Sequence, residues 1–344
     1  MNFLGFAFPL ALLVAVQLTT LTWAVTNVTK TSGKDYVEQG KHLGEQPVRR
    51  MVPECDLNTF SLRGGKPTFP EQQDVTLPLC PDNQYAIFYN NIWGIARYTL
   101  YKIAAEDAEK AMSNPVARPK GDPWKQTEGT LHQGSDELYK NQPISCLYDR
   151  GHLVPVNILR YSLESAYATF TYTNCVPQIA GFNRGQWKKY ETKIVQYAQH
   201  YCAPSGGTLY LITGTSKVKF KETLSPLNEI TGVDKSVQPM EAFHDDVDTY
   251  PQHGPKILIP NSMWTVGCCL GLNNKVVGAF GVMGGNSLNQ QLLNEFMMPR
   301  QTVASVQEAL QLEDNSITLF PNGEDCYDEK KNIQLNNIRF FYVP

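Results

Sequence analysis

The sequence has no basic excess: 30 Lys and Arg stand against 33 Asp and Glu, a formal charge of −3. A polyanionic partner would therefore have to be held by a local patch and not by the field of the whole chain. There is no internal repeat, low-complexity tract, collagen period or heptad run, which excludes a disordered, fibrous or coiled-coil chain. None of the eight cysteines forms a C-x-x-C pair, so a structural Cys zinc site is excluded. HExxH, GxSxG and Walker-loop patterns are all missing, which removes zinc proteases, nucleophile-elbow hydrolases and P-loop enzymes. Only one run is apolar enough to engage a membrane, and it lies at the extreme N-terminus. What remains is a chain of 344 residues, 42% hydrophobic, long enough for one large domain or two ordinary ones.

The N-terminal run, residues 3–22, ends in Thr22-Trp23-Ala24, a small-x-small cleavage pattern. We read residues 1–24 as a signal peptide; a signal anchor is the alternative, since no Lys or Arg precedes the run. Secretion, with no membrane attachment after cleavage, agrees with two further features. The sequon Asn27-Val28-Thr29 makes Asn27 a glycosylation candidate. The cysteines, at 55, 80, 146, 175, 202, 268, 269 and 326, all follow the cut, and an even number suits an oxidising compartment. Eight cysteines allow about 105 pairings, so connectivity stays open. Cys268 and Cys269 are adjacent in a strand-like run, so their side chains point to opposite faces and meet different fates, with a free thiol at one or both as the expectation.

Residues 25–84 read as a polar leader followed by a small β-rich segment, and 85–344 as the main domain. Tyr85–Tyr89, Tyr98–Tyr101, Leu209–Ile212, Lys256–Ile259 and Val276–Phe280 have strand character, with a last strand at Ile338–Val343. Residues 113–146 are rich in Pro, Gly, Asp and Lys and form a long irregular excursion. The clearest helix runs from about Asn183 to Tyr201, with Trp187, Tyr190, Ile194, Tyr197 and Tyr201 at steps of three and four. A short helix fits 301–312. Strands and helices do not alternate regularly, so the class is α+β.

Two local patterns carry chemistry. Asp149-Arg150-Gly151-His152 sets a cation and a titratable ring two residues apart around a glycine, where close backbone approach would let a bulky ligand sit against a turn. Asn174, Pro177 and Gln178 precede Asn183, Trp187 and Glu191. Singly each has a bland explanation: a structural His, a helix N-cap, a buried turn amide. Together they strongly resemble the DNA/RNA non-specific endonuclease family, the ββα-metal nucleases of the Serratia nuclease and endonuclease G type. The DRGH run and the spacing from Asn183 through Gly185 and Trp187 to Glu191 carry the resemblance. It is strongest over 118–200. The leader and the Cys55–Cys80 segment resemble extensions of secreted arthropod members.

The resemblance implies a ββα-metal core with an antiparallel sheet flanked by helices. It implies His152 as general base, Asn183 as the protein ligand of Mg²⁺ (with Mn²⁺ as a substitute), and Arg150 and Arg118 on phosphate oxygens. Glu191 would hold a metal-bound water, while Asp149, Asn174 and Gln178 orient the site. These roles are physically coherent. A neutral imidazole takes a proton near neutral pH, so activity should climb through the imidazole range. Magnesium keeps most of its waters and needs only one or two protein oxygens. On an ideal helix Glu191 lies about 80° around and roughly 12 Å along from Asn183. Arg184, Lys188, Lys189 and Lys193 form a candidate phosphate-binding patch. The acidic run His244–Asp248 matches no cation-loop spacing and reads as solvated. The expected activity is metal-dependent hydrolysis of DNA, and of RNA too, with 5′-phosphate products and little sequence specificity; the alternative is an inactive extracellular nucleic-acid-binding protein on the same fold.

Overall fold

Val, Ile, Tyr and Thr dominate the runs that become strands, and apolar side chains on both faces mark a sheet covered on both sides. The computed structural model describes residues 55–70, 78–142, 146–224, 230–243, 257–286, 297–298 and 300–338, with the backbone alone for 221–224 and 230–233. The expected signal peptide and leader, Asn27, the run His244–Asp248 and the strand expected beyond Ile338 lie outside the described residues.

The chain forms β1 (Ala86–Asn90), β2 (Ile95–Ala104), α1 (Ala105–Ser113), α2 (Asp136–Lys140), β3 (Tyr148–His152), α3 (Leu163–Ala168) and β4 (Cys175–Ile179). A continuous helical run follows: α4 (Ala180–Phe182), a π-helical turn (Asn183–Trp187), α5 (Lys188–Tyr197) and a second π turn (Ala198–Cys202). Then come β5 (Thr208–Ser216), β6 (Val218–Leu224), β7 (Ile230–Val237), β8 (Glu241–Phe243), β9 (Ile257–Ile259), β10 (Ser262–Leu270), β11 (Val276–Gly285) and α6 (Val303–Leu310).

Strands β1-β2-β5-β10-β11 make one antiparallel five-stranded sheet. Alternation divides it. Ile87, Tyr101, Leu211, Met263 and Phe280 face a core shared with β3, β4 and the helical run, where Trp187, Tyr190, Ile194 and Tyr197 bury their rings and branches. Phe88, Tyr98, Ile212, Trp264 and Met283 face a second core closed by α6 and residues 60–69. The class is therefore α+β, with helices flanking an antiparallel sheet, as the sequence indicates.

The same alternation governs the adjacent cysteines. Cys269 bonds Cys202 at the end of the helical run, and Cys268 bonds Cys326 on the other face. Their fates differ as expected, but neither is free: one dipeptide staples both covering layers to β10, an inner strand of the sheet. Cys55–Cys80 is the third bridge. Cys175 keeps a buried thiol.

Other expectations change in form. In place of strands, the described residues of 55–84 carry 3₁₀ turns and isolated bridges (Thr68 to Thr318, Leu79 to Ile87), because they pack on a finished sheet and add no ladder to it. The helix expected over 183–201 is broken by π turns at both ends of α5, the first around Gly185, whose ψ of −110° leaves helical space. The excursion 113–146 is irregular but pinned: Lys125 exchanges backbone hydrogen bonds with Phe170 and Tyr172, and it contains α2.

Arg97 is nearly fully buried under Phe69 and Trp93 and ion-pairs with Glu313 at 2.9 Å. Glu313 also accepts from Ser216 Oγ and the Lys217 amide, tying the segment after α6 to the end of β5. Removing one partner of a buried pair strands the other charge, so Glu313→Ala should lower unfolding free energy by about 3–5 kcal/mol in denaturant titration; a loss below about 1 kcal/mol, the range of an exposed pair, would contradict this account.

Candidate active site

β3 and β4 pair antiparallel, with Asp149 opposite Gln178, Gly151 opposite Val176 and His152 opposite Cys175. The chain leaves β4 directly into the helical run, giving two strands and a helix in succession. Strand alternation sends Arg150 and His152 to one side of β3 and Asp149 to the other. Asp149 faces the helix start: it accepts from Asn183 Nδ2 at 2.8 Å and from Arg184 Nε at 2.9 Å and Nη2 at 2.5 Å. Gly151 lies in the strand and not in a turn. A Cβ there would come within 2.3 Å of Gln178 Oε1, so the close approach that requires glycine is to Gln178 and not to a ligand.

The structure brings Arg118, Asp149, Arg150, His152, Asn183 and Glu191 around one cavity of about 440 Å³, with Trp124, Pro155, Val156, Asn157, Arg184 and Lys188 completing its wall. Asn174 and Gln178 lie behind it, fully buried. The Asn174 amide accepts from Val154 N at 2.9 Å and donates to Val154 O and Thr169 O, which fixes the chain just after His152. Asn27 lies outside the described residues.

His152 packs between Trp124 (ring centroids 4.7 Å apart) and Phe170 (4.9 Å). Its Nε2 is enclosed with no hydrogen-bond partner. Burial first, then the Arg118 and Arg150 guanidinium groups, hold its pKa down to about 3. Burial thus favours the neutral imidazole across the near-neutral range. Glu191 behaves oppositely: burial pushes its carboxyl up to about 8, with Arg118 and Lys188 pulling it back.

Arg150 is already engaged. Its Nη1 donates to Asp136 Oδ1 at 2.7 Å, Asp122 Oδ1 at 3.0 Å and Tyr172 Oη at 3.3 Å, and its Cζ lies 5.4 Å from the centre of the Trp124 ring. Arg118 lies over Phe170, Cζ to ring centre 5.5 Å. Of the candidate cationic patch, Lys188 and Lys189 are exposed, and Arg184 is exposed but paired with Asp149. Lys193 turns inward, its Nζ donating to Asn336 O, so it leaves the patch.

Among the described residues no cluster of three or more His, Cys, Asp or Glu could hold a metal. The donor that fits is Asn183. With Nδ2 committed to Asp149, its amide oxygen is the atom left for a cation, and a hard, strongly hydrated ion accepts such a single neutral oxygen. The π turn that begins at Asn183 is of the kind that recurs at functional positions in helices.

Sequence reasoning missed Asp122, Asp136, Tyr172 and Asn286. Asn286 Oδ1 accepts from Ile179 N, and its Nδ2 donates to Pro177 O and Pro260 O, locking β4 against the main sheet. No sequence signal links these residues to the motif; only the Ser135 cap before Asp136 was available, and it predicts a helix start and nothing more.

The model of the DNA/RNA non-specific endonuclease family matches residues 65–314, most of the chain, and this protein belongs to that family. Family membership implies a divalent metal ion. A protein described as a nuclease from Nostoc sp. is 30% identical over 135 residues, 38% of this chain and 43% of that protein. An uncharacterized protein of Sinorhizobium fredii is 43% identical over 60 residues, 15% of this chain and 9% of its own length. The chain thus aligns with less than half the length of these curated relatives. Among solved structures, EndoG in its complex with EndoGI is similar, with a TM-score of 0.53 and 18% identity, covering 80% of this chain and 94% of that one; the likeness is one of fold.

His152 has a folded pKa below its unfolded value of 6.5, so between about pH 6.5 and 3 the unfolded chain binds the extra proton and folding weakens as pH falls. In chelating buffer, the melting temperature of the wild type should fall further on acidification across this window than that of His152→Asn. Parallel curves for the two proteins would show that burial does not hold the ring neutral.

Proposed function

We propose that this protein is a secreted, Mg²⁺-dependent endonuclease, with Mn²⁺ as a substitute, that hydrolyses DNA and also RNA with little sequence specificity and leaves 5′-phosphate ends. The observation that carries the reading is the convergence of a neutral buried imidazole, an amide oxygen, a carboxyl and two guanidinium groups on a single cavity.

Asn183 would hold the ion, aimed by Asp149. A divalent cation held there would supply positive charge against the charge that builds on the phosphodiester. His152 takes the proton of the attacking water on its imidazole, and Trp124 and Phe170 keep the ring in place. Arg118 and the edge of Arg150 that its carboxylates leave open bind non-bridging oxygens. Glu191 accepts hydrogen bonds from water beside Asn183. Each of these groups addresses phosphate or water, and none reads a base edge. Secretion, cleavage after residue 24 and glycosylation at Asn27 belong to the same reading. Three disulfides support an oxidising compartment, and no helix among the described residues is long and apolar enough to cross a membrane.

His152→Ala should cut the cleavage rate by about 10²–10⁴-fold and leave duplex binding nearly unchanged; a variant keeping more than a few per cent of the rate would remove His152 as the base. Purified protein should degrade plasmid, single-stranded DNA and double-stranded RNA with Mg²⁺ and stop on chelation. Its binding should weaken steeply with salt as counterions are released. Discrete bands from random-sequence DNA would refute low specificity, and binding without cleavage in any metal would favour the inactive binding protein.

A further inference from the structure

The Arg150 guanidinium, beside His152 on β3, is a phosphate-binding candidate that two carboxylates and a phenol already grip. Its Nη1 is held by Asp136, Asp122 and Tyr172, while Nε and Nη2 make no hydrogen bond to described residues. The grip is built from outside the ββα motif. Ser135 caps α2 by accepting from Leu138 N at 3.1 Å, which fixes Asp136 as the first helical residue. The Tyr172 hydroxyl, on a buried ring stacked on Tyr139, donates to Asp136 Oδ1, the same oxygen that meets Arg150. Lys140 closes the other oxygen, Nζ to Oδ2 3.3 Å. Trp124 lies under the guanidinium and against His152, so the same indole sets both groups.

We propose that Asp136 is a positioning residue of the nuclease site. Seated by α2 and Tyr172, it fixes the Nη1 edge of Arg150 so that the opposite edge is presented to the scissile phosphate. The inference rests on the nuclease reading above and adds to it how Arg150 is aimed. A guanidinium has donors along two edges in a rigid plane. Committing one edge to carboxylates removes rotamer freedom before substrate arrives, and the plane then meets phosphate in one orientation. The carboxylates have a second effect. Asp136 and Asp122 offset the charge of Arg150, so ground-state attraction for any phosphate is moderated, and the aligned edge acts where negative charge grows in the transition state.

Asp136→Ala, with Tyr172→Phe as a milder lesion that keeps the buried ring, tests this against wild type, Arg150→Ala and the Asp136→Ala/Arg150→Ala double variant. The readouts are kcat, KM, melting temperature, and the affinity of each protein for a short duplex in chelating buffer. With Arg150 present, Asp136→Ala should lower kcat by about tenfold or more, because misalignment of a group that acts on the transition state is costly. KM and duplex affinity should hold or tighten, and Tyr172→Phe should move kcat in the same direction by less. In the Arg150→Ala background, the loss caused by Asp136→Ala should shrink to under about twofold, since the residue acts only through the arginine. A loss that persists in full without Arg150, or one that appears in melting temperature and not in kcat, would overturn the proposal while leaving the nuclease reading intact. Absence of cleavage and duplex binding in the wild type would instead overturn the nuclease reading, and the proposal with it.

Discussion

The carboxylate of Asp149 holds together the two parts of the site that the sequence keeps 34 residues apart. One oxygen pair takes three donors, one from Asn183 and two from Arg184, so the strand bearing His152 and the helix bearing Asn183 meet through a single charged group. Charge-assisted bonds of this kind are short and directional. They orient the Asn183 amide, because an amide whose nitrogen is spent has only its oxygen to offer. They also neutralise one exposed guanidinium at the cavity mouth, as Asp136 and Asp122 do for Arg150, whereas Arg118 and Lys188 line the cavity with no carboxylate ion pair among the described residues.

Everything around Asp149 keeps that contact in register. Gly151 lets Gln178 lie against β3, Asn174 pins the chain after His152, and Asn286 anchors β4 to the main sheet. A slip of one residue in β3 would exchange its faces, sending Asp149 to Trp124 and His152 toward the helix. The buried amides are therefore register devices. The disulfides act at larger scale: Cys202–Cys269 closes the helical run on the sheet, and Cys268–Cys326 closes the opposite layer.

For His152 and Glu191 burial is the largest influence on protonation, whereas pairing dominates at Arg184. These two groups of the cavity wall are both driven toward their neutral forms, His152 downward and Glu191 upward. For His152 this keeps the imidazole unprotonated across the near-neutral range and lowers its intrinsic basicity at the same time. For Glu191 it means that any positive charge brought into the cavity favours the ionised carboxylate, as Arg118 and Lys188 already do in part.

The class of fold, the strand runs and the motif spacing were legible in the sequence because they are local. Period two, period 3.6 and a four-residue signature need no knowledge of distant partners. His152, Asn183, Glu191, Arg150 and Arg118 were named from it, and the fold brings all five to one cavity. The π turns were not legible, since they depend on how Asn183 and Cys202 are tethered at the ends of α5. The partners of Cys268 and Cys269 were not, since face but not distance follows from alternation. Asp136, Tyr172 and Asn286 lay beyond reach for the same reason: their roles are contacts across 14 to 109 residues, and such contacts come from tertiary packing alone. The sequence by itself determined which chemistry the protein carries; the tertiary structure decided how each group is aimed and which protonation state it holds, because aim and desolvation are set by neighbours that the chain brings close only on folding.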